Sequence, residues 1–473
     1  MFLVRLFVLF ALVGAATTAE ARPRHRQSVA GRLGARRARR LGVGGRGLDW
    51  ASVAAGPLAT GCGAGRLVVG TGILDQLCLR RRLLARRSPA GAGVGGRLLR
   101  RRRDLDSGLL GARSRASRVR IVSFRTPSGS YLVIETTNQC SLACVHCAVS
   151  EGADHPHNHG VGFIAPALFQ QILDQLVAIG ARFDTLIPFW LGEPLIHPEF
   201  GTLYRAGLRA AAEAGLFRRV ELHTNATHLG RDRLRIALNA SPVEQTWHFS
   251  LDCATRERYL RVKGRDLFES VESNLHAFLD ETRRTGARWP RPVFQMIVGE
   301  NNADEVDAFA ARWTAACEAR KRPVRLAAQV VPPGEDAVVF FRQLDAPTSV
   351  AQARANIAFR AAMSRLGLAL PKPEASPEAV NGGPGVCSSF WKSPVIGWDG
   401  RVTTCVRDNR FENVLGSVVD TPFPELWWGE RMRRGRAGAA SGCYDGFAAC
   451  HDCYIPRSSN YTDITEAEIA ACA

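Results

Sequence analysis

Apolar segments of strand length alternate with segments of helix length between residues 131 and 366 of this 473-residue chain. The strand-like segments are Tyr131–Thr136, Thr185–Phe189, Arg219–Leu222, Thr246–Leu251, Val293–Val298 and Val324–Val331. The helix-like segments are Ala167–Ile179, Phe200–Ala214, Arg231–Leu238, Phe268–Thr285, Ala303–Ala319 and Ala351–Leu366. Strands that alternate with helices of this length are typical of βαβ units, so the pattern predicts an α/β fold with a parallel sheet.

The first 120 residues differ in composition from the rest of the chain. They contain 25 arginines, no lysine and five acidic residues, so they account for the formal net charge of +18 and leave the remainder nearly neutral. Glycine interrupts every apolar run here, and such a segment cannot bury enough apolar surface to offset chain entropy. We predict that residues 1–118 are a disordered leader or precede the true translation start; the alternative is a basic tail for an acidic partner. The nearly neutral body argues against nucleic-acid binding.

The extreme N-terminus, residues 1–21, has the outline of a secretory signal. Arg5 precedes the apolar run Leu6–Ala16, and Ala19-Glu20-Ala21 resembles a cleavage site. The run is too short to cross a membrane as a helix, so we predict no membrane span. Export conflicts with the thiol chemistry described next, and we therefore expect a cytoplasmic protein.

The thirteen cysteines are grouped rather than spread along the chain. A body of this size builds its own core without a disulfide framework, and tightly spaced thiols indicate metal binding. Cys140, Cys144 and Cys147 follow the first strand-like segment with the spacing C-x3-C-x2-C. Three thiolates leave one iron of a [4Fe–4S] cluster open, because a fully ligated cluster takes four ligands. A structural zinc site would need His146 as its fourth ligand, and the position of His146 between two cysteines makes joint chelation awkward.

The second group of cysteines lies after residue 386. Asp399-Gly400 predicts a hairpin turn that brings Cys387 and Cys405 together. Cys450-His-Asp-Cys453 is a chelating pair. These four cysteines are the predicted ligands of a second metal site, in which Cys443 is either a substitute for one of them or a free thiol. We expect Cys472 to be free, and a zinc ribbon is the alternative to an iron–sulfur site.

The segment Cys140-Ser-Leu-Ala-Cys144-Val-His-Cys147 resembles the C-x3-C-x-Φ-C loop of radical S-adenosylmethionine (SAM) enzymes, with His146 in the usually aromatic place. The resemblance implies a partial (βα)6 barrel of the TIM type and a [4Fe–4S] cluster that binds SAM at its open iron. The region from Cys387 to Cys453 resembles the SPASM/twitch extension of the same enzymes, a small cysteine-rich β-hairpin domain that holds auxiliary clusters. Because the chain has fewer cysteines than a two-cluster extension needs, we expect one auxiliary [4Fe–4S] cluster.

Further motifs lie after the second, third and fourth predicted strands. Trp190-Leu-Gly-Glu-Pro194 resembles the family's Gly-Gly-Glu-Pro segment, with leucine in place of the first glycine. The resemblance implies that the SAM amino group is bound by Gly192, Glu193 and Pro194. It also implies contacts from Asn225, Ser250 and Asp252 to the SAM carboxylate and ribose. The alternatives are a turn for the first segment and strand-end capping for the polar residues.

These observations predict four regions: the leader 1–118, a radical SAM core 128–370, a SPASM-like domain 380–456 and a C-terminal tail 457–473. By resemblance, the enzyme cleaves SAM reductively to a 5′-deoxyadenosyl radical, which abstracts hydrogen from a peptide or small-molecule substrate. The resemblance also implies a reduced electron donor of the flavodoxin or ferredoxin type. The alternative is a non-catalytic protein in which both cysteine groups bind structural zinc or iron–sulfur. No residue is assigned as a catalytic acid or base.

Overall fold

The computed structural model describes residues 126–151, 160–238, 241–346, 349–370, 386–451, 453 and 464–471. The predicted leader 1–118 and Cys472 lie outside the described residues. No helix within those ranges is long and apolar enough to cross a membrane.

The strands of the described residues form one sheet. They are β1 (Tyr131–Ile134), β2 (Phe183–Ile187), β3 (Phe217–Thr224), β4 (Glu244–Ser250), β5 (Arg291–Val298), β6 (Val324–Ala328), β7 (Ala337–Gln343), β8 (Val395–Ile396), β9 (Arg401–Thr403) and β10 (Gly416–Ser417). Their spatial order is β10-β9-β8-β1-β2-β3-β4-β5-β7-β6. Every neighbouring pair from β1 to β6 in that order is parallel, which confirms the α/β prediction.

Helices follow most of the barrel strands and cover one face of the sheet. They are α1 (Pro166–Ala178), α2 (Phe200–Ala214), α3 (Arg231–Ala237), α4 (Arg256–Lys263), α5 (Phe268–Thr285), α6 (Val306–Glu318), α7 (Ser349–Arg365), α8 (Ser389–Lys392), α9 (Phe423–Trp427), α10 (Glu430–Ala440), α11 (Ala448–His451) and α12 (Glu466–Ala471). Short 3-10 turns span Ala148–Glu151, Pro194–Ile196 and Ala303–Glu305. Alternate strand residues such as Leu132, Leu186, Val220 and Phe249 are buried against these helices in one large core.

The opposite face of the sheet is the interior of the open barrel. Two smaller apolar clusters lie there, one around Val133 and Trp190 and the other around Val293 and Phe340. Parallel sheets are covered on both faces, which explains why predicted strands such as Tyr131–Thr136 and Val293–Val298 are mostly apolar. The predicted strands Arg219–Leu222 and Thr246–Leu251 instead alternate apolar residues with polar ones that face the barrel interior.

Two elements of the barrel were not predicted. Strand β7 lies between β5 and β6 in space, so the barrel has one strand more than the six that the sequence pattern predicts. Helix α4 follows β4, where no helix was expected. Both additions keep the parallel arrangement and extend the predicted barrel rather than replace it.

The C-terminal region joins the barrel through main-chain pairing. Strands β8 and β9 form the predicted antiparallel hairpin, with Gly400 at φ +88 in its turn. Strand β8 pairs in parallel with β1, so the hairpin extends the barrel sheet at its first strand. Helix α9 lies against α1, and the main-chain amide of Phe423 donates a 3.0 Å hydrogen bond to Gln175.

Candidate functional site

The first cysteine group lies on the loop after β1, at the carboxyl end of the sheet. Cys140 Sγ accepts hydrogen bonds from the Leu142 amide at 3.4 Å and from the Asn225 side chain at 3.5 Å. Burial, together with the nearby Glu193, Cys144 and Cys147, raises the pKa of the Cys140 thiol to about 12. The loop therefore gathers the three predicted ligands and brings Asn225, from the end of β3, to the same place.

Helix α4 fixes this cysteine loop from the other side. The Ala143 amide donates to the Lys263 carbonyl and the Val145 amide donates to the Val262 carbonyl, both at 3.0 Å. Gly264 ends the helix at φ +71, and a Cβ on it would lie 2.4 Å from the Ala143 carbonyl oxygen. The last turn of α4 is thus a platform for the loop, and glycine is required where the two meet.

A buried ion pair lies beneath the loop. Lys263 Nζ donates to Asp252 Oδ2 at 2.5 Å, and the two side chains are 2% and 0% exposed. Burial alone would raise the pKa of Asp252, but Lys263 holds it below its ordinary value. His146 Nε2 lies 3.7 Å from the same carboxylate oxygen, and burial lowers the pKa of this imidazole. Lys263 also lowers the pKa of Cys144, although burial of that thiol raises it overall.

The chain itself supplies the polar partners of Asp252. Its second carboxylate oxygen accepts a 2.7 Å hydrogen bond from the Ile297 amide, and Ser250 donates to the first at 3.3 Å. Asp252 thereby connects the ends of β4 and β5 to α4. The proposed SAM contacts of Ser250 and Asp252 stay predictions, and the structure adds a positioning role for Asp252.

The Gly192-Glu193-Pro194 segment packs directly on the residues that precede Cys140. A Cβ on Gly192 would lie 2.3 Å from the Thr137 carbonyl oxygen, and the Glu193 amide donates to the Gln139 carbonyl at 2.7 Å. Only glycine permits this approach of two main chains. The structure therefore brings the segment and the cysteine loop together, as the resemblance implies.

The Glu193 carboxylate accepts three hydrogen bonds within the protein. They come from the Thr224 hydroxyl at 2.7 Å, the Asn225 amide at 2.7 Å and the Leu195 amide at 3.0 Å. Burial raises the pKa of Glu193 to about 7 despite these donors. Glu193 thus ties its own turn to the end of β3, and its contact with a SAM amino group stays a prediction.

The second cysteine group surrounds one cavity. Cys387, Cys405, Cys450 and Cys453 all line it, whereas Cys443 does not. Asn413 donates to Cys450 Sγ at 3.3 Å, and the Cys387 amide donates to the Tyr444 hydroxyl at 3.1 Å. Burial raises the pKa of Cys450 to about 12 and that of Cys405 well above its ordinary value. The structure therefore brings together the four cysteines that the sequence predicts as ligands, and their metal-binding role stays a prediction.

Asp408 lies beside this cavity but is occupied by structural contacts. Its carboxylate accepts hydrogen bonds from the Thr403 hydroxyl, the Glu412 amide and the Asn413 amide, and it is 1% exposed. Burial raises its pKa. These contacts hold the loop that follows Cys405, so Asp408 is a positioning residue.

Two family models match the regions that carry the two cysteine groups. The model of the radical SAM superfamily matches residues 134–310. The SPASM model, described as an iron–sulfur cluster-binding domain, matches residues 387–454. The chain carries a radical SAM domain followed by a SPASM domain. The cofactors of the first domain are SAM and a [4Fe–4S] cluster, and the cofactor of the second is auxiliary iron–sulfur.

Individual proteins that resemble the chain have low sequence identity to it. GTP 3′,8-cyclase of Chlorobaculum tepidum is 30% identical over 184 residues, which are 38% of this chain and 48% of the cyclase. The chain thus spans about half the length of this curated relative. Streptococcus suis SuiB bound to S-adenosylmethionine is 14% identical with a TM-score of 0.44, and the match covers 71% of this chain and 76% of SuiB. BtrN in complex with AdoMet and 2-DOIA is 12% identical with a TM-score of 0.37 over 72% of this chain and 93% of BtrN.

The residues present fit the cofactors of both domains. Three thiols on one loop match a [4Fe–4S] cluster with an open iron, and four thiols around one cavity match a fully ligated cluster. The raised pKa values of Cys140 and Cys450 mean that these thiols are protonated without metal. A bound cation deprotonates coordinating thiols, so occupancy of either site is coupled to proton release.

Two residues of the radical SAM domain were missed by the sequence analysis. Lys263 lies in a strongly charged segment where an exposed lysine is the ordinary expectation. Glu135 extends β1 and is fully buried, and its carboxylate accepts a 3.2 Å hydrogen bond from the Trp398 amide in the SPASM hairpin. The signal for Glu135 was a lone acidic residue at the end of an apolar run.

Proposed function

We propose that this enzyme abstracts hydrogen from a polar small molecule or a peptide bound in the interior of the barrel. When bound, the SAM-binding [4Fe–4S] cluster delivers the electron that cleaves SAM to methionine and the 5′-deoxyadenosyl radical that attacks the substrate. The observation that carries the proposal is the packing of the Gly192-Glu193 segment on the cysteine loop, because it joins the two motifs that the family uses for SAM. The electron donor proposed is a reduced flavodoxin or ferredoxin.

The residues of the chain have separate tasks in this proposal. Cys140, Cys144 and Cys147 hold the cluster at the carboxyl end of β1, and Asn225 donates toward the Cys140 sulfur. The Gly192–Pro194 segment, Ser250 and Asp252 orient SAM over the barrel. Glu193 and Asp252 also hold the loops after β2, β3 and β4 in position beside the cysteine loop through their hydrogen bonds.

The second site is proposed to hold one auxiliary [4Fe–4S] cluster with Cys387, Cys405, Cys450 and Cys453 as its ligands. Its cavity is also lined by Tyr131, at the start of β1, so the site adjoins the barrel. An auxiliary cluster at this place either binds the substrate or accepts an electron from the product radical.

A polar substrate is supported by the side chains that face the barrel interior. Glu221 and His223 on β3, His248 on β4 and Gln295 on β5 form one connected polar group there. Polar groups without a ligand are costly in such a confined space, and they are the groups that fix a ligand's orientation.

Iron and sulfide content of anaerobically reconstituted variants tests the two sites. Two [4Fe–4S] clusters give about eight irons per chain. We expect the triple replacement of Cys140, Cys144 and Cys147 by alanine to remove about half of the iron, and Cys387→Ala with Cys405→Ala to remove the other half. Cys443→Ala is the matched control and should keep the full iron content. Loss of iron in the Cys443→Ala control, or unchanged iron in either cluster variant, would overturn the ligand assignment.

A further inference from the structure

Three metal-binding side chains face one another inside the barrel, away from both cysteine groups. Glu221 and His223 are two residues apart on β3 and therefore share a face, and His248 is the register partner of His223 on β4. One ligand atom from each residue lies within 4.8 Å of the other two. The imidazole rings of His223 and His248 are stacked with centroids 4.3 Å apart, and Phe189 stacks on the outer face of His223.

The single side-chain hydrogen bond of His248 leaves its Nε2 facing the Glu221 carboxylate with no proton between the two atoms. His248 Nδ1 lies 3.4 Å from Gln295 Oε1, and since the oxygen can only accept, the ring donates through Nδ1. In the neutral ring that donates through Nδ1, the other nitrogen, Nε2, carries a lone pair. That buried Nε2 forms no hydrogen bond, yet it lies 3.5 Å from Glu221 Oε1.

Two electron-rich atoms at this distance repel each other unless a cation lies between them. Glu221 supplies the carboxylate of this pair, from the same face of β3 as His223. His223 Nε2 is 2.8 Å from the same Glu221 oxygen. Ligands of a tetrahedral zinc ion with bonds of about 2.1 Å lie roughly 3.4 Å apart, so the two observed separations bracket that value.

We propose that Glu221, His223 and His248 bind a divalent transition-metal ion, for which zinc is the probe. Two imidazoles and one carboxylate are the donor set of many zinc and iron(II) sites, and such sites keep a position open for another ligand. Gln295 has the outer-shell role, because it accepts from the nitrogen of His248 that does not bind the metal and so fixes the ring.

The charges around the ion indicate its remaining ligand. Arg219 acts electrostatically on Glu221, and Arg342 acts electrostatically on His248. Arg219 is oriented by a 2.9 Å hydrogen bond to the Thr185 hydroxyl. Their positive charge favours an anionic oxygen at the open position. This assignment of the remaining ligand rests on the proposed function: a carboxylate or phosphate oxygen of the substrate would bind the ion inside the barrel.

Zinc retention by the full chain with both clusters loaded tests the metal site. The protein is equilibrated with zinc, passed through a desalting column and analysed for zinc and iron together. We expect about one zinc per chain in the wild type and in His228→Ala, which serves as the control because His228 is an exposed histidine on the loop between β3 and α3. His223→Ala and the isosteric Glu221→Gln should each lower the zinc affinity at least tenfold, while the iron content of the protein stays unchanged. Equal zinc in these variants and the wild type would overturn the proposal.

The zinc X-ray absorption spectrum excludes binding to cysteine. We expect only nitrogen and oxygen ligands near 2.0–2.1 Å, whereas sulfur ligands at about 2.3 Å would contradict the site. SAM cleavage is measured on the same wild-type sample. Zinc binding without SAM cleavage would reject the proposed function alone, and SAM cleavage without zinc binding would reject the metal site alone.

Discussion

The indole Nε1 of Trp190 donates a 3.0 Å hydrogen bond to the main-chain carbonyl of Val406, which is 216 residues further along the chain. Trp190 directly precedes the Leu191–Pro194 segment, and Val406 directly follows Cys405. A single bond therefore links the segment proposed to bind SAM with the loop that carries Cys405, a proposed ligand of the auxiliary cluster. Phe411 packs edge-on against the same indole, at a centroid distance of 5.2 Å.

Replacing Trp190 by phenylalanine should weaken this link without emptying either cysteine site. The change leaves the Val406 carbonyl without its donor, which costs on the order of 1 kcal/mol. We expect both clusters to load, a lower melting temperature and a several-fold lower ratio of product to 5′-deoxyadenosine. Trp391→Phe is the control, because Trp391 is also buried but its Nε1 forms no hydrogen bond. The same loss of coupling in both variants would contradict a specific role of the Trp190 bond.

Alanine at Gly264 should disturb the cysteine loop selectively. The new Cβ would approach the Ala143 carbonyl, in addition to the strain of a positive φ. Gly286→Ala is a matched control, since Gly286 also ends a helix, at φ +64, but a Cβ there meets nothing within 4 Å. Both variants should lose about 1 kcal/mol of stability from backbone strain. Only Gly264→Ala should lose iron from the first cluster, and equal iron in both variants would show that the close approach is unimportant.

Glu135 should make the stability of the enzyme depend on pH. Burial raises the pKa of Glu135 from 4.5 to about 8. Its contribution is therefore fully present below pH 4.5 and is lost as pH rises toward 8, because the unfolded chain ionises first. Free energies of unfolding measured from pH 5 to 9 should show Glu135→Gln gaining on the wild type up to about pH 8, by on the order of a few kcal/mol. A constant difference across this range would contradict the buried, protonated carboxyl. Glu257→Gln, at an exposed position on α4, should follow the wild type throughout.

The sequence predicted the barrel because its local signals agree with its tertiary structure. The runs at β1 and β5 are apolar enough to be buried on both faces, and the helix α5 was predicted over Phe268–Thr285, as observed. Strand β7 has the same kind of apolar sequence, Ala337–Gln343, and its signal was present but missed. Its place between β5 and β6 depends on pairing across the sheet, which no local pattern specifies.

The parts of the site that the sequence did not predict arise from long-range contacts. Helix α4 is mostly charged and lacks an apolar stripe, although Thr255 and Gly264 at its two ends are capping signals. Lys263 is buried only because Asp252 lies opposite it. The spacing of Glu221 and His223 places them on one face, but the sheet register decides that His248 joins them. The spacing of the proposed ligands Cys140, Cys144 and Cys147 lies within one loop, and such local spacing can be recognised in the sequence alone.

Formation of 5′-deoxyadenosine tests the central claim most directly. The reconstituted wild-type enzyme is incubated without oxygen with SAM and dithionite, and the products are measured by mass spectrometry. We predict 5′-deoxyadenosine and methionine in equal amounts from the wild type, and none above the protein-free control from the variant with alanine at Cys140, Cys144 and Cys147. Survival of 5′-deoxyadenosine formation in that variant would contradict the assignment of these cysteines to the SAM-cleaving site.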